Sequence, residues 1–315
     1  MRTGSLVLGT RGSALALAQA ETVAAMLREA WPGLEVRLEI IRTGGDRLRD
    51  RPLAAFGQKG VFVRELEEAL QDGRIRAAVH SLKDLPSTLP DPFALAAVPM
   101  REDPRDCLIS RGAKPLEDLP AGAVVGTGSP RRAAQLLAQR PDLKVRDIRG
   151  NVDTRLAKLE RGEYDAIVLA VAGLRRLGLD GVITQHLEPQ VMTGAVGQGA
   201  LGIETLAGDD EALELLQALD HTPSRAAVEA ERALARALNA GCQTPLGALA
   251  VCADGKLRLT GALASADGRQ IIRVQTEGLP EEPQSAGENA ARMMLEQGAG
   301  PLLGHREQND GQHLS

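Results

Sequence analysis

Short apolar runs alternate with amphipathic stretches through the first two thirds of the chain. Leu6-Val7-Leu8 predicts a buried strand. Ser13 then stands as a helix N-cap, and Ala14 to Ala30 predicts a helix that Pro32-Gly33 stops. Val36 to Ile41 predicts a second strand. Val61 to Gln71 predicts an amphipathic helix closed by Asp72-Gly73. Ile75 to Val79 and Ala94 to Val98 predict further strands. The rhythm then restarts with a strand at Ala123-Val124-Val125. A helix opens at Ser129-Pro130 and runs to Gln139, with proline at its favoured first position. A strand over Lys144 to Ile148, a helix over Val152 to Arg161 and a strand over Ala166 to Leu169 follow. This alternation predicts α/β layers with a mainly parallel sheet.

The last third reads differently. Thr222-Pro223 opens a helix with Ala227, Ala230, Leu234, Ala237 and Leu238 on one buried face. Leu246 to Cys252, Leu257 to Ala262 and Gln270 to Gln275 predict antiparallel strands joined at Asp254-Gly255 and Asp267-Gly268. A helix over Ser285 to Glu296 closes the domain. The fold class expected is therefore α/β: two α/β domains with a ligand cleft between them, plus a smaller α+β domain with a three-stranded antiparallel sheet. The first domain takes 1–100 and 196–218, the second 101–195 and the third 219–304. Residues 305–315 form a polar tail expected to be disordered. The crossings between the first two domains fall at 101–104 and 194–199, with Gly199 to Glu204 returning as a strand. The chain contains no tandem repeat and no low-complexity tract.

Composition narrows the function. No apolar run among the 315 residues reaches the roughly 20 needed to span a bilayer. Arg11 interrupts any signal-peptide core, so a cytoplasmic protein is expected. The three cysteines, Cys107, Cys242 and Cys252, have no pairing pattern and suit a reducing compartment. A net charge of -5 and 2% aromatics argue against a nucleic-acid partner. Only six of the 37 basic residues are lysine. Arginine's planar fork suits carboxylates and phosphates, although a GC-rich genome accounts for most of such an excess. Position must carry the argument.

Four strand-to-helix loops gather the unusual polar residues. Thr10-Arg11-Gly12-Ser13 and Thr127-Gly128-Ser129-Pro130-Arg131-Arg132 each lead into a helix, whose free N–H groups attract anions. One such loop in each α/β domain points to an anionic ligand held between them. Gly126-Thr127-Gly128 lacks the third glycine of a dinucleotide fingerprint, and no Walker ending occurs. Carboxylates are thus the better match. His80-Ser81-Leu82-Lys83-Asp84-Leu85-Pro86 follows an apolar strand, at the end where α/β folds place ligands. Asp84 is either a surface pair with Lys83 or a buried, ionised carboxylate in a cationic cleft. Arg149-Gly150-Asn151-Val152-Asp153-Thr154-Arg155 forms the fourth loop. His80, His186, His221, His305 and His313 are scattered, so no metal site is expected.

Cys242 lies in Asn239-Ala240-Gly241-Cys242-Gln243-Thr244-Pro245, past a helix end that Gly241 suits as a left-handed cap. A thiol at the negative end of a helix dipole has a raised pKa. That favours a thiol alkylated once over a recycling nucleophile. A small buried hydrophobe is the plainer alternative.

Taken together, the chain closely resembles the porphobilinogen deaminase family. The matching stretches are Thr10 to Ala16, Lys59-Gly60-Val61-Phe62-Val63-Arg64-Glu65-Leu66-Glu67, His80 to Pro86, Arg101-Glu102-Asp103-Pro104-Arg105-Asp106, Arg149 to Arg155, Ala195-Val196-Gly197-Gln198-Gly199, and Glu231-Arg232 through Pro245. They span nearly the whole chain in order. The resemblance implies three domains, the first two like type II periplasmic binding proteins. It implies a dipyrromethane cofactor joined by a thioether to Cys242, on which four porphobilinogen units condense with loss of ammonia before the tetrapyrrole is hydrolysed off. It makes Asp84 the catalytic carboxylate. It gives Arg11, Ser13, Lys83, Thr127, Ser129, Arg131, Arg132, Arg149, Arg155 and Arg176 the acetate and propionate groups, with Gln19, Lys59, Phe62, Ser81 and Gln198 as further site residues. It also implies a monomer. Gly128, Ala240 and Gly194 depart from the family pattern, which has serine, glycine and proline there. Two rivals stand beside this reading. A non-enzymatic binding protein for a small carboxylated ligand leaves Cys242 and the third domain without a purpose. A cysteine hydrolase pairing Cys242 with His80 needs an acidic thiol and an orienting partner.

Overall fold

The computed structural model describes residues 4–41, 63–241 and 243–303. Five strands form the first sheet: β1 (Gly4–Arg11), β2 (Leu34–Ile41), β3 (Ala77–Ser81), β4 (Phe93–Ala97) and β10 (Leu201–Leu206), in the order β2-β1-β3-β10-β4. Helices α1 (Ala14–Ala30) and α6 (Asp210–Gln217) cover one face, where Ala20, Val23 and Leu27 meet Leu6, Leu8 and Ile203. Helix α2 (Arg64–Gln71) covers the other, with Leu66 and Leu70 against Ile41 and Ile75.

The second sheet repeats this plan. It comprises β5 (Asp106–Ser110), β6 (Val124–Gly126), β7 (Lys144–Arg146), β8 (Ala166–Ala170) and β9 (Gln185–Leu187), ordered β7-β6-β8-β5-β9. Helices α3 (Pro130–Gln139), α4 (Val152–Glu160) and α5 (Val171–Arg176) pack against it. Leu108, Val125 and Val168 face Leu136, while Ile109 and Ile167 face Leu159 and Leu174.

Four strands of each sheet share one direction, as the alternation predicted, and a single strand runs against them. β10 runs antiparallel to β3 and β4, and β5 runs antiparallel to β8 and β9. The reason is topological. Each of these strands follows a crossing from the opposite unit. It enters at the end where the parallel strands finish, so it must run back against them.

The third unit stacks α7 (Thr222–Ala237) and α8 (Pro283–Glu296) on an antiparallel sheet of β11 (Leu246–Ala253), β12 (Lys256–Ala264) and β13 (Ile271–Gly278). Asp254 and Gly255 both take positive φ, 52° and 71°, the two-residue hairpin turn that Asp-Gly favours. Only Gly268 is left-handed in the other turn, φ 71°, which runs longer, from Ser265 to Gln270.

Helix α7 departs from its expected single buried face. Ala226, Val228, Glu231, Arg232 and Ala235 are buried as well, while Ala237 is exposed. The helix is enclosed because it packs on the third sheet on one side and places Val228 among Leu82, Leu85 and Val98 of the first unit on the other. Its C-terminus also differs. Asn239, φ 49°, is the left-handed residue in place of Gly241. Ala240 N–H donates to Ala235 O (2.9 Å) and Asn239 N–H to Arg236 O (2.9 Å), the paired bonds of a Schellman end. Asparagine tolerates this conformation at small cost.

Candidate functional site

The carboxyl end of β3 runs directly into a one-turn 3-10 helix, Leu82–Asp84. Its polarity alternation decides which side chains reach solvent. Leu82 and Leu85 are buried with Val63, Val98, Ala200 and Val228. Lys83 and Asp84 point out and are exposed. Asp84 is therefore not the buried carboxylate that a cationic cleft suggested; it stands open to water. Beneath this turn His80 Nε2 lies 3.0 Å from Glu204 Oε2, both buried.

The serine loops behave as their sequences predicted. Ser13 Oγ caps α1, accepting Ala16 N–H at 3.2 Å. Ser129 Oγ caps α3, accepting Arg132 N–H at 3.4 Å, and Thr127 Oγ1 accepts Ser129 N–H at 3.2 Å. A hydroxyl that accepts from a helix N–H keeps its own O–H to donate. Gln19 is buried on α1 and its Nε2 donates to Ser81 Oγ at 2.8 Å, tying that helix to the end of β3. Arg11 is the last residue of β1, two positions before the capping Ser13.

Cations crowd the space between the two units. The Lys83 ammonium is pushed down to about 8 by its enclosure and then by Arg132 and Arg131, with Asp84 and Asp106 opposing. The side chain is exposed, so cleft water reaches it and limits the burial contribution. Arg155 is pushed down to about 10 by burial, Arg132 and Arg149. Its Nε donates to Gly150 O at 2.8 Å, and Arg149 Nε donates to Asp147 Oδ2 at 2.6 Å. Lys83 from the first unit and Arg131, Arg132, Arg149 and Arg155 from the second thus form one cationic group. Arg176 is placed apart, at the crossings, where its Nη2 donates to Gly199 O at 2.7 Å.

Arg131 and Arg132 are buried, and both reach Asp106. Arg131 Nη1 donates to Asp106 Oδ2 (2.7 Å) and to Thr193 O (2.7 Å). Arg132 donates to Asp106 Oδ1 through Nε (2.9 Å) and Nη2 (2.7 Å), and to Val168 O through Nη1 (3.0 Å). Gln198 Nε2 adds a bond to the same oxygen at 3.0 Å and another to Pro104 O at 2.8 Å. Burial would raise the Asp106 carboxyl, but the two guanidiniums outweigh it and hold it below the usual carboxylate range. Asp106 is the residue that reading the sequence missed. The available signal was a carboxylate opening the apolar strand Cys107-Leu108-Ile109.

Three expected site residues, Lys59, Phe62 and Cys242, lie outside the described residues. The turn flanking Cys242 is described: Thr244 N–H donates to Gly241 O at 3.0 Å, and Gly241 N–H to Thr244 Oγ1 at 3.1 Å. The other two thiols are poor nucleophiles. Burial pushes Cys107 up to about 12 and also raises Cys252. A Cβ at Gly128 would sit 2.7 Å from Asp147 Oδ1, at the end of an exposed side chain that can swing aside, and 3.3 Å from Ile148 O. Among the described residues, no helix is long and apolar enough to cross a membrane.

The cleft has the donor set for a polycarboxylate. Its cations outnumber its anions, and Arg131 Nε is buried without a hydrogen-bond partner. A dipyrromethane, with acetate and propionate groups on each ring, fits that chemistry.

Comparison with known proteins bears directly on this site. Residues 6–214 match the family model described as porphobilinogen deaminase, dipyromethane cofactor binding domain, and 225–296 match the model of that family's C-terminal domain. The chain is 52% identical over 299 residues to a porphobilinogen deaminase of Roseiflexus castenholzii, covering 95% of this chain and 98% of that protein. It is 52% identical over 299 residues to one from Thermus thermophilus, with the same coverage of 95% and 98%. Among solved structures it is similar to a periplasmic solute binding protein of Desulfovibrio salexigens, at 11% identity and a TM-score of 0.43, over 70% of this chain and 73% of that one. It is also similar to a periplasmic binding protein of Salmonella typhimurium with high arginine specificity, at 15% identity and a TM-score of 0.40, over 69% and 92%.

Proposed function

The chain belongs to the porphobilinogen deaminase family, and from that premise we propose which of its residues do the family's work. The enzyme is a transferase of tetrapyrrole biosynthesis that carries a dipyrromethane cofactor. It condenses four porphobilinogen molecules in turn with loss of ammonia, then releases hydroxymethylbilane by hydrolysis. A binding protein without catalysis is not favoured, since both family models belong to an enzyme.

Cys242 is assigned the thioether. When bound, the dipyrromethane supplies the pyrrole carbon on which the chain grows and the carboxylates that fix it. Lys83, Arg131, Arg132, Arg149 and Arg155 hold acetate and propionate groups. Arg11 and the hydroxyls of Ser13, Thr127 and Ser129 are assigned to the same groups. Arg176 acts from the crossings, beside Gly199. Gln19, Ser81 and Gln198 support the first line, and Lys59 and Phe62 complete the assignment.

Asp84 is the catalytic residue. Porphobilinogen that sheds ammonia becomes an electron-poor ring. A carboxylate fixed on a short turn stabilises that positive charge and accepts a pyrrole N–H. The arginines offset the substrate's negative charge while Asp84 meets the developing positive charge, so one cleft treats opposite charges at separate points. The observation that carries this reading is the cationic group that Lys83 of the first unit, next to Asp84, forms with Arg131, Arg132, Arg149 and Arg155 of the second.

The domains are assigned as 1–100 with 196–218, 101–195, and 219–304. The enzyme acts as a monomer in the cytoplasm without a nucleic-acid partner; a net charge of -5 supports the last point.

Intact mass of the purified protein tests the reading. The wild type should carry the added mass of two pyrrole units, and Cys242→Ser should lack it. Asp84→Asn should keep the mass and lose roughly 10²-fold or more in kcat. An unmodified, active wild type sinks the assignment of Cys242; an Asp84→Asn enzyme with near-normal turnover sinks that of Asp84.

A further inference from the structure

We propose that Asp106 is a positioning residue: it clamps Arg131 and Arg132 so that one open guanidinium edge is presented to a ligand carboxylate. The proposal rests on the functional reading above. The two adjacent arginines are not equivalent in how their donors are used. Arg132 spends the Nε–Nη2 edge, the one that best matches a carboxylate, on Asp106 Oδ1. Among the described residues, Arg131 is held only through Nη1, by Asp106 Oδ2 and Thr193 O. Its Nε is buried with no hydrogen-bond partner. Buried donors are rarely left unmade in a folded protein, because the desolvation cost is not recovered. An unpartnered arginine edge beside a neighbour whose own Nε–Nη2 edge is taken is what a preorganised anion site requires.

Charge supports the same conclusion. Two buried guanidiniums beside Lys83 would repel one another without an anion. Asp106, itself fully buried, offsets one of them and leaves the group net positive. Gln198 Nε2 bonds both Asp106 Oδ1 and Pro104 O, so the clamp is fixed to both crossing segments. Gln135 supports the other end, with Nε2 donating to Thr193 O (3.1 Å) and Oε1 accepting from Thr193 N–H (2.9 Å).

Asp106→Asn isolates the role. The amide keeps one acceptor and turns the other oxygen into a donor. With the acceptor facing the Arg132 and Gln198 donors, its NH₂ meets Arg131 Nη1 and breaks that bond. A carboxylate contact held equally in ground and transition states shows in KM rather than kcat. The expected result for Asp106→Asn holoenzyme is a KM for porphobilinogen raised about tenfold or more, with kcat within about threefold of wild type. KM within about twofold of wild type, or a loss confined to kcat, overturns the proposal. If Asp106→Asn does not fold, Gln198→Met serves, since it loosens the clamp but keeps both charges. Its KM should rise about threefold, and an unchanged KM is again the overturning result. A wild type without the added mass and without turnover would overturn the function itself; a competent wild type beside an unaffected variant overturns only the role of Asp106.

Discussion

Lys83 shows how much a single residue here depends on its neighbours. With its pKa pushed down to about 8, the free site sheds this proton just above physiological pH. A bound carboxylate favours the ammonium, so ligand binding raises the pKa again. Linkage then fixes the sign. Affinity is flat below about 8 and falls as pH rises through that value, until the pKa of the bound state is reached. The KM for porphobilinogen should climb by up to about tenfold per pH unit in that window. Lys83→Arg does not titrate there and should flatten the climb. Matching profiles for the two enzymes would refute the assignment. At this scale the sequence was partly legible. Ser13 and Ser129 were readable as caps because capping is a local bond across three positions. Asp106 was not, because Arg131 and Arg132 lie 25 and 26 positions further on. The exposure of Asp84 was one of two alternatives left open, and the two leucines that bury its turn decide it.

Elements were legible where periodicity is local and obscure where another unit sets the pattern. Helix α3 was foreseen with both boundaries because Ser129-Pro130 is a start signal in itself. The strands β5 and β9 were missed: β5 enters straight from a crossing, and β9 is three residues long with only Leu187 fully buried. Helix α7 was misjudged because its second buried face meets a unit remote in sequence. Its contact with α8 gives a test. Gly287 sits where an added Cβ would lie 2.4 Å from Ala230 O and 2.7 Å from Leu234 N. Alanine gains about 1 kcal/mol in helix propensity over glycine. Overpacking against backbone that cannot yield costs about 1–3 kcal/mol, so the clash prevails. Gly287→Ala should melt a few degrees below wild type, whereas propensity alone predicts a rise. A higher melting temperature would show that the two helices separate freely.

For the whole molecule the question is how one cleft serves a growing chain, and Glu231 sets the terms. It is fully buried on α7 and binds all three units at one point. Its Oε1 accepts from Arg101 Nη1 (2.6 Å) and Ala250 N–H (2.8 Å), its Oε2 from Gly197 N–H (2.7 Å) and Arg101 Nη2 (3.1 Å). Arg101 and Gly197 belong to the two crossings, and Ala250 to β11. The crossings are also joined directly, through Glu102 N–H to Gly199 O at 3.2 Å. Gly194 O accepts from Ala248 N–H at 2.9 Å, which ties this crossing to β11. A relative rotation of the first two units must therefore work against a brace supplied by the third. Glu231→Gln keeps the shape but leaves Arg101 a buried cation without its anion, a change of about 3–5 kcal/mol where such pairs have been broken. Hydrogen exchange at 101–104 and 194–199 should then rise about tenfold or more, a shift that needs only about 1.4 kcal/mol of local opening. The cores of the three sheets should keep their protection. A rise spread evenly over all three sheets would mean that Glu231 holds up the fold at large. Unchanged exchange at the crossings would mean that the units turn about some other line, and that the third unit leaves their motion free.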